Sequence, residues 1–264
     1  LNKKSRYYIM YRIVIPTKAR SHLIMKKTIG FLLRHGIDMN KVDIWIGSKE
    51  EEHDYKKVLD KVYKRPYIIH EQKDLMSIVN YIHYYYRNET KVKWLLRMDD
   101  DIENIIDKNG NDIQGLDKFI KEMFRYTEEK RLALWGVNAY DNPFFFKDNI
   151  TTSLKYIVGA FNGHIIRRNL HDIQVWSSHY EDVIFSCESY IRDGGVVRHN
   201  GYGLITKYFA DGGMNCSKEE IQKRKDDSCE IGLEVAYRYG DMVRLVKKKD
   251  HWDIRLNHNF TLTK

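Results

Sequence analysis

The sequence predicts an α/β fold in which a mostly parallel sheet is flanked by helices. Short apolar runs rich in β-forming residues alternate with segments whose apolar residues recur at helical spacing, and the connections between them are short. Such alternation is typical of parallel strands that are covered by helices. The chain has 264 residues, of which 42% are hydrophobic, so it can bury a substantial core.

The predicted elements follow one another closely along the chain. The predicted strands are 13–16, 42–46, 67–69, 94–98, 132–137 and 196–198, with a further extended segment at 156–166. The predicted helices are 23–34, 49–62, 74–86, 116–127, 180–192, 218–224 and 230–239. No repeat, low-complexity linker or domain boundary is visible, so we expect one domain over 1–264.

The composition favours a soluble intracellular protein with a basic surface. The 45 Lys and Arg residues outnumber the 37 Asp and Glu residues and give a net charge of +8. A basic surface attracts polyanions, although an ordinary Lys-rich solubility surface gives the same balance. The three cysteines are odd in number and form no CxxC pair, which argues against a disulfide framework and a structural zinc site. No apolar run approaches the roughly 20 residues that a membrane span needs.

The acidic run Asp99-Asp100-Asp101 follows directly on the predicted strand 94–98. Sheets of this kind bind ligands at the carboxyl ends of their strands, and the run lies at one such end. Three neighbouring carboxylates repel one another unless a cation neutralises them, and oxygen ligands suit Mg²⁺ or Mn²⁺. A solvated turn is the alternative, which the apolar strand directly before the run disfavours. The pattern therefore predicts a Mg²⁺ or Mn²⁺ site that can hold a diphosphate.

A second acidic pair, Glu181-Asp182, lies at the predicted start of the helix 180–192. Helix N-termini favour acids, so capping is one explanation of the pair. The other is catalytic, because a carboxylate can act as a general base that takes the proton of an attacking hydroxyl. We favour the catalytic interpretation.

The segment Pro16-Thr17-Lys18-Ala19-Arg20 follows the first predicted strand. Its basic side chains and the free amides of the following helix could bind a phosphate or a nucleobase. The segment does not match GxxxxGK[ST], and no GxGxxG follows the strand, so a P-loop ATPase and a dinucleotide site are both disfavoured.

Three histidines follow the second acidic pair in the chain: His199, His251 and His258. Imidazole binds Mn²⁺ acceptably, so any of them could complete a metal shell, and His199 is the candidate that we name. An ordinary structural role is the alternative for each.

Taken in order, these residues resemble the GT-A class of glycosyltransferases. In that class a Rossmann-like half carries an Asp-x-Asp motif and a later x-Glu-Asp motif supplies the base, and the matching residues here are Met98–Asp101 and Tyr180–Asp182. More narrowly, the sequence is similar to the glycosyltransferases associated with the TET and J-binding oxygenases, among them the base J glucosyltransferase. The narrower match spans about residues 10–215 and rests on four stretches: Ile15–Arg20, Leu96–Asp101, Val158–Gly163 and Tyr180–Val183.

The resemblance implies a role for each candidate residue. Asp101 would ligate Mn²⁺ or Mg²⁺, and Asp99 would ligate the metal or contact the donor ribose. Asp182, with Glu181 beside it, would supply the base of an inverting sugar transfer. The implied donor-binding residues are Pro16, Thr17, Lys18, Arg20, Arg97, Asp99 and Asp100.

The resemblance also implies the substrates. The donor would be a UDP-sugar that carries glucose or a related hexose or pentose, and it would bind in the half at about 10–105. The acceptor would be a hydroxymethylated pyrimidine in DNA, bound by the half at 106–264 in a groove past Gly159–Gly163. The family occurs in phages, large viruses and protists, and a viral origin fits the Lys-, Asn- and Ile-rich composition.

Two alternatives stay open from the sequence. A GT-A enzyme acting on a glycan, lipid or protein would carry the same acidic run and base, so that only its acceptor distinguishes it. A nucleic-acid-binding module that keeps a transferase fold is the second, and the intact Asp101 and Asp182 disfavour it.

Overall fold

A nine-stranded sheet dominates the computed structural model, which describes residues 11–206, 218–249 and 251–262. Its strands are β1 (Tyr11–Thr17), β2 (Val42–Ile46), β3 (Ile68–Ile69), β4 (Trp94–Met98), β5 (Ile102–Asp107), β6 (Leu134–Asn138), β7 (Ile150–Thr151), β8 (Phe161–Ile165) and β9 (Val197–Thr206). The order across the sheet is β3-β2-β1-β4-β8-β6-β9-β5, with β7 also paired to β9. The pairings give β1, β2, β3, β4, β6 and β9 a common direction and β5, β7 and β8 the opposite one. The predicted α/β fold with a mostly parallel sheet is confirmed.

Helices connect and cover these strands. They are α1 (Ser21–Ile24), α2 (Gly30–Arg34), α3 (Glu52–Leu59), α4 (Leu75–Asn88), α5 (Leu116–Glu129), α6 (Glu181–Asp193) and α7 (Lys218–Tyr239). A π-helical turn over Met25–Ile29 joins α1 to α2, and short 3₁₀ turns lie at Met39–Lys41, Pro143–Phe145 and Gly240–Met242. A separate hairpin pairs β10 (Val243–Lys247) with β11 (Trp252–Leu256). No helix in the described ranges is both long and apolar enough to cross a membrane.

The structure confirms most predicted elements and corrects a few. The predicted strands 42–46 and 94–98 have the same bounds as β2 and β4. The two helices predicted at 218–224 and 230–239 are one continuous helix, α7. The extended segment predicted at 156–166 forms a strand only over β8, and the hairpin of β10 and β11 was not predicted.

Buried charges in the centre of the sheet are paired with one another. Arg12 of β1 lies against Asp43 of β2, and its Nε donates a hydrogen bond of 2.8 Å to Asp43 Oδ2. Arg65 Nη2 and the Tyr86 hydroxyl donate to the same carboxylate at 2.8 and 2.7 Å. Pairing of this kind offsets the cost of removing charges from water.

Six strands end at the same edge of the sheet, because β1, β2, β3, β4, β6 and β9 run in the same direction. The last residues of β1, β4, β6 and β9 are Thr17, Met98, Asn138 and Thr206. The carboxyl ends of parallel strands are where open α/β sheets bind ligands. The candidate site lies at this edge.

Candidate active site

The acidic run Asp99–Asp101 forms the turn between β4 and β5. The Asp99 amide donates to the Ala160 carbonyl at 2.9 Å. The Thr28 hydroxyl donates to the Asp99 carbonyl at 2.6 Å and accepts from the Ile102 amide at 2.9 Å. Thr28 is fully buried in the π-helical turn after β1, so that turn fixes the backbone of the acidic run. A π-helical turn often marks a functional site.

Asp100 and Asp101 are held by side chains from distant parts of the chain. The Thr17 hydroxyl donates to Asp100 at 2.5 Å. Arg20 Nη1 lies 3.0 Å from Asp100 Oδ1 and 3.2 Å from Asp101 Oδ2. Thr206, at the end of β9, donates to Asp101 Oδ1 at 2.9 Å. Two predicted donor-binding residues, Thr17 and Arg20, are therefore brought to the acidic run.

The other two residues of the first turn lie beside it. Pro16 is in β1, opposite Trp45 of β2, and Lys18 is exposed. Ala19 has a left-handed φ of 55°, and its amide donates to Glu51 at 2.9 Å. A donor contact for Pro16 and Lys18 stays a prediction.

Asp99 is the least neutralised carboxylate of the run. Within the described part of the chain its side chain accepts no hydrogen bond, whereas Asp100 and Asp101 both do. Burial raises the pKa of Asp99 to about 7; Arg97 opposes this rise, and the Asp101 and Asp100 carboxylates add to it. A buried carboxylate beside two others favours the binding of a proton or a cation.

The run fits a divalent cation only in part. The described residues contain no group of three or more His, Cys, Asp and Glu side chains placed to bind a metal. Asp99 and Asp101 offer two carboxylates, and Mg²⁺ commonly binds one or two carboxylates and completes its shell with water and substrate phosphates. His251 and His258, next to the two ends of β11, form no such group with the acids.

Among the described residues His199 forms no metal-binding group with the acids of the run, and its place in a metal shell stays a prediction. His199 pairs with Val137, near the carboxyl end of β6, whereas Thr206 at the end of β9 contacts Asp101. The His199 ring packs 4.8 Å from the Tyr202 ring, and its Nδ1 accepts from the Gly201 amide at 3.2 Å.

Arg97 and Glu181 form a buried ion pair behind the acidic run. Arg97 is 3% exposed and Glu181 is 4% exposed. Arg97 Nη1 donates to Glu181 Oε1 at 2.6 Å, and its Nε and Nη2 donate to the Gly159 carbonyl at 3.1 and 2.9 Å. A Cβ at Gly159 would lie 2.5 Å from Arg97 Nη2 and 2.9 Å from Glu181 Oε2, so a side chain there would have to displace the ion pair. Glu181 is thus committed to Arg97, and Asp182 is left as the available acid.

Asp182 lies in the first turn of α6, and the residue is half-buried. Its Oδ2 accepts from the Tyr156 hydroxyl and, at 3.4 Å, from the Gly159 amide, and its Oδ1 accepts from the Val183 amide at 3.0 Å. Burial, together with the neighbouring Glu181 carboxylate, raises the pKa of Asp182 to about 6. Such a pKa suits a general base that must be ionised near neutral pH and still accept a proton.

The residue before this pair has a strained backbone. Tyr180 has a φ of 56°, which is uncommon for a residue other than glycine. Its hydroxyl donates to the Ser228 carbonyl at 3.0 Å and to the Trp252 carbonyl at 2.7 Å, so α7 and β11 hold the residue in place. Strained residues of this kind cluster at functional sites.

Sequence reasoning missed three residues that hold the site together. They are Thr28, Tyr156 and Thr206. Thr206 lies 105 positions along the chain from Asp101, and nothing in its local sequence marks it. Tyr156 belongs to the segment 156–166, which the sequence predicts only as extended.

The segment Gly159–Gly163 does not line an open groove, which corrects the path expected for an acceptor. All five residues are buried, and Phe161–Gly163 belong to β8 between β4 and β6. At Gly163 the Trp135 side chain fills the space in which a Cβ would lie. The segment borders the site only at Gly159.

Comparison with known proteins supports the fold. No protein-family model matches this sequence, and no curated protein matches it. A mannosyltransferase from Pyrobaculum calidifontis, solved in complex with GDP-Man and Mn²⁺, matches with a TM-score of 0.58 and 8% identity, over 88% of this chain and 65% of that chain. TarS residues 1–349 from S. aureus match with a TM-score of 0.47 and 10% identity, over 86% of this chain and 65% of that one. A nucleotide-diphospho-sugar transferase from Desulfovibrio desulfuricans G20 matches with a TM-score of 0.46 and 11% identity, over 83% of this chain and 95% of that chain.

The chain therefore spans 65% of the length of the mannosyltransferase and of the TarS fragment. At 8% identity the mannosyltransferase match concerns the fold alone. The described architecture, a mostly parallel sheet flanked by helices, is the fold of that mannosyltransferase.

Proposed function

We propose that this protein is a metal-dependent glycosyltransferase that moves a sugar from a UDP-sugar to a hydroxymethylated pyrimidine in DNA, with inversion at the anomeric carbon. The observation that carries the proposal is the pairing of two acidic sites at the carboxyl edge of a GT-A sheet. The run Asp99–Asp101 supplies one, and Asp182 supplies the other. Between them lies the buried Arg97–Glu181 pair.

The donor side is formed by the first half of the chain. Asp99 and Asp101 would hold Mn²⁺ or Mg²⁺, and Asp100 is fixed by Thr17 and Arg20. A divalent cation bound there would stabilise negative charge on a leaving nucleoside diphosphate. Arg20 adds a positive charge at the same place, which favours a diphosphate.

Asp182 is proposed as the catalytic base. Its carboxylate would take the proton of the acceptor hydroxyl while that oxygen attacks the anomeric carbon, and the bond to the diphosphate would break on the opposite side. The Tyr156 hydroxyl and the Val183 amide orient the carboxylate, because each donates to a different oxygen. Glu181 cannot serve in this way, since Arg97 holds it inside the protein.

The acceptor assignment rests on the sequence resemblance and on the basic charge. A net charge of +8 favours a polyanion over a neutral glycan. The direct test is mass spectrometry of nucleosides from hydroxymethylated DNA that has been incubated with the protein, Mn²⁺ and a panel of UDP-sugars. A nucleoside heavier by one hexose or pentose is expected. Donor hydrolysis without any modified nucleoside would instead favour a glycan, lipid or protein acceptor.

Replacing Asp101 with Asn should abolish metal-dependent donor binding. The amide keeps the size of the side chain and an oxygen for Thr206 but loses the charge that a divalent cation requires. Titration calorimetry of UDP with and without Mn²⁺ measures the effect, and the Mn²⁺-dependent gain in affinity should disappear. Asp241→Asn is the control, and it should keep that gain because Asp241 is an exposed acid outside the site. Equal behaviour of the two variants would contradict the assignment.

Turnover should fall as the pH drops through about 6. Burial, followed by the effect of Glu181, raises the pKa of Asp182 to that value, and the protonated acid cannot accept a proton. Below it, log kcat should fall with a slope that approaches one per pH unit. Saturating Mn²⁺ and donor keep the metal ligands ionised, so that the acid limb reports the base. A kcat that stays constant down to about pH 4.5 would be incompatible with Asp182 as the base.

A further inference from the structure

Five Lys and Arg residues and one histidine line two adjoining cavities at the acceptor side of the fold. The first cavity has a volume of about 330 Å³ and contains Lys147, Lys155, Arg198 and His258. The second, of about 380 Å³, contains Arg244, Arg255 and again His258. We call these six residues the basic groove: Lys147, Lys155, Arg198, Arg244, Arg255 and His258. No Asp or Glu is among the described residues that line either cavity.

The positive charges of the basic groove are not compensated within the described part of the protein. Elsewhere the buried arginines are matched, as Arg12 is by Asp43 and Arg97 by Glu181. Arg198 instead donates from Nε to the amide oxygen of Asn200 at 2.7 Å. Burial lowers the pKa of Lys155, and nearby Arg198 lowers it further. Uncompensated cations in a partly buried cavity are costly unless a bound anion neutralises them.

The hairpin of β10 and β11 contributes two further arginines to the basic groove. Arg244 and Arg255 are direct cross-strand partners, and both line the second cavity. Like charges directly opposite one another destabilise a strand pair. A phosphate between the two guanidinium groups would turn this repulsion into attraction.

Aromatic rings form one rim of the first cavity. Tyr140 and Phe145 line it, and Phe144 packs edge-on against Phe145 with 5.2 Å between ring centres. Phe144 is 85% exposed and Phe145 is 58% exposed. The Asn142 side chain accepts from the Phe144 amide at 3.1 Å and thereby fixes the turn that presents both rings. Exposed rings beside a positive groove are the arrangement on which unpaired bases stack.

The groove leads to the proposed base. Tyr156 lines the second cavity, and its hydroxyl donates to Asp182. Asn138, the last residue of β6, lines the first cavity, so the groove lies at the same edge of the sheet as the acidic run. A strand held in the groove would therefore pass the carboxylate that is proposed to activate its hydroxyl.

We propose that the basic groove and the Phe144–Phe145 rim bind one strand of a nucleic acid, with its phosphates along the cations and unpaired bases stacked on the rings. This inference rests on the proposed DNA acceptor and deepens it. It replaces the path past Gly159–Gly163, which is buried.

The test is fluorescence anisotropy of a labelled single-stranded DNA oligonucleotide without hydroxymethylated bases, measured over a range of salt concentrations. Arg244→Gln/Arg255→Gln and, separately, Lys155→Gln/Arg198→Gln should each weaken binding about tenfold or more and reduce the salt slope by roughly 0.7 per lost phosphate contact. Phe144→Ala/Phe145→Ala should weaken binding about fivefold to a hundredfold with an unchanged salt slope. The control is Lys57→Gln/Lys61→Gln, on the surface beside β2 and β3 and away from β9. It removes the same number of positive charges and should leave the affinity for the oligonucleotide unchanged.

Unchanged affinity in both groove variants would overturn the inference, and so would an equal loss in the Lys57/Lys61 control. Because Arg244 and Arg255 are exposed, their replacement tests the groove even if the Lys155/Arg198 variant fails to fold. A blunt-ended duplex that binds more tightly than the single strand would also contradict it. The failures of the two proposals can be separated. If the oligonucleotide binds through the groove but no sugar is transferred, only the proposed function is contradicted. If the groove variants transfer sugar at the parent rate, only this inference is contradicted.

Discussion

Asp182→Asn should reduce the turnover of sugar transfer by about a hundredfold or more and leave nucleotide binding intact. General-base removal typically costs this much, because the attacking hydroxyl must then lose its proton without a positioned acceptor. The metal site and its partners Thr17 and Arg20 are untouched, so calorimetric binding of UDP with Mn²⁺ should match that of the parent. Asp241→Asn, which changes an exposed acid outside the site, is the matched control and should transfer sugar at the parent rate.

The same substitution should change how stability depends on pH. In the parent the pKa of Asp182 is about 6 in the folded state and roughly 3.9 in the unfolded chain. The folded state therefore binds more protons between these values, and its stability falls as the pH rises from about 4 to 6. The Asn variant does not titrate, so its melting temperature relative to the parent should rise over that window by a few degrees.

Two results would contradict this account of Asp182. Near-parent turnover of Asp182→Asn would mean that the reaction does not use this carboxylate as a base. A melting-temperature difference that does not change between pH 4 and 7 would mean that the folded protein does not raise the pKa of Asp182.

The first half of the fold was predictable because its elements are defined locally. The strand 42–46 is apolar at four of its five positions, and Asp43 is the exception, paired with Arg12. The strand 94–98 runs directly into the acidic run, so one stretch of sequence fixes both the element and the site. Neither depends on a distant contact for its identity.

The second half was harder because its elements depend on distant partners. The acids and serine around Asp226 read as a break between two helices, but α7 continues through them and buries Ser228 against the start of β11, where its hydroxyl accepts from the Trp252 amide at 3.0 Å. The polar, glycine-rich stretch after His199 did not read as a strand. It extends in β9 because β5, β6 and β7 all pair with it.

In the candidate site, too, some features are defined by local sequence and others depend on distant contacts. The positions of Asp99–Asp101 and Glu181–Asp182 follow from strand and helix ends that the sequence marks. The different roles of Glu181 and Asp182 cannot be predicted from local sequence, because they depend on the ion pair between Glu181 and Arg97, which is 84 positions away in the chain.

Glu181→Gln should destabilise the fold by about 3–5 kcal/mol, the largest loss of stability that we expect from an isosteric change in this protein. It leaves the Arg97 guanidinium buried without its main counter-charge, and breaking one side of a buried pair typically costs this much. The free energy of unfolding from urea titration measures the loss. Glu188→Gln, on the same helix but partly exposed, is the control and should cost far less.

The double replacement Arg97→Met/Glu181→Gln tests whether the cost comes from the unpaired charge. Arg97→Met removes the cation, and the Gly159 carbonyl that it leaves still accepts from Asn162 at 3.0 Å. The double variant should therefore be less destabilised than the sum of the two single variants, with a coupling of about 2 kcal/mol or more. Additive losses would show that the pair contributes packing volume and not a charge interaction.

Glu181→Gln should also shift the acid limb of the pH–kcat profile to lower pH. The Glu181 carboxylate is one of the causes that raise the pKa of Asp182, and Arg97, once released from Glu181, would favour the ionised Asp182 further. Both effects lower that pKa, so the variant should keep its turnover to a lower pH than the parent does, provided that it is assayed well below its melting temperature. A limb that moves to higher pH would mean that Glu181 does not act on Asp182 through its charge. Glu181 would then be a packing partner of Arg97 and nothing more, and the placement of the base beside a buried ion pair would have no part in setting its pKa.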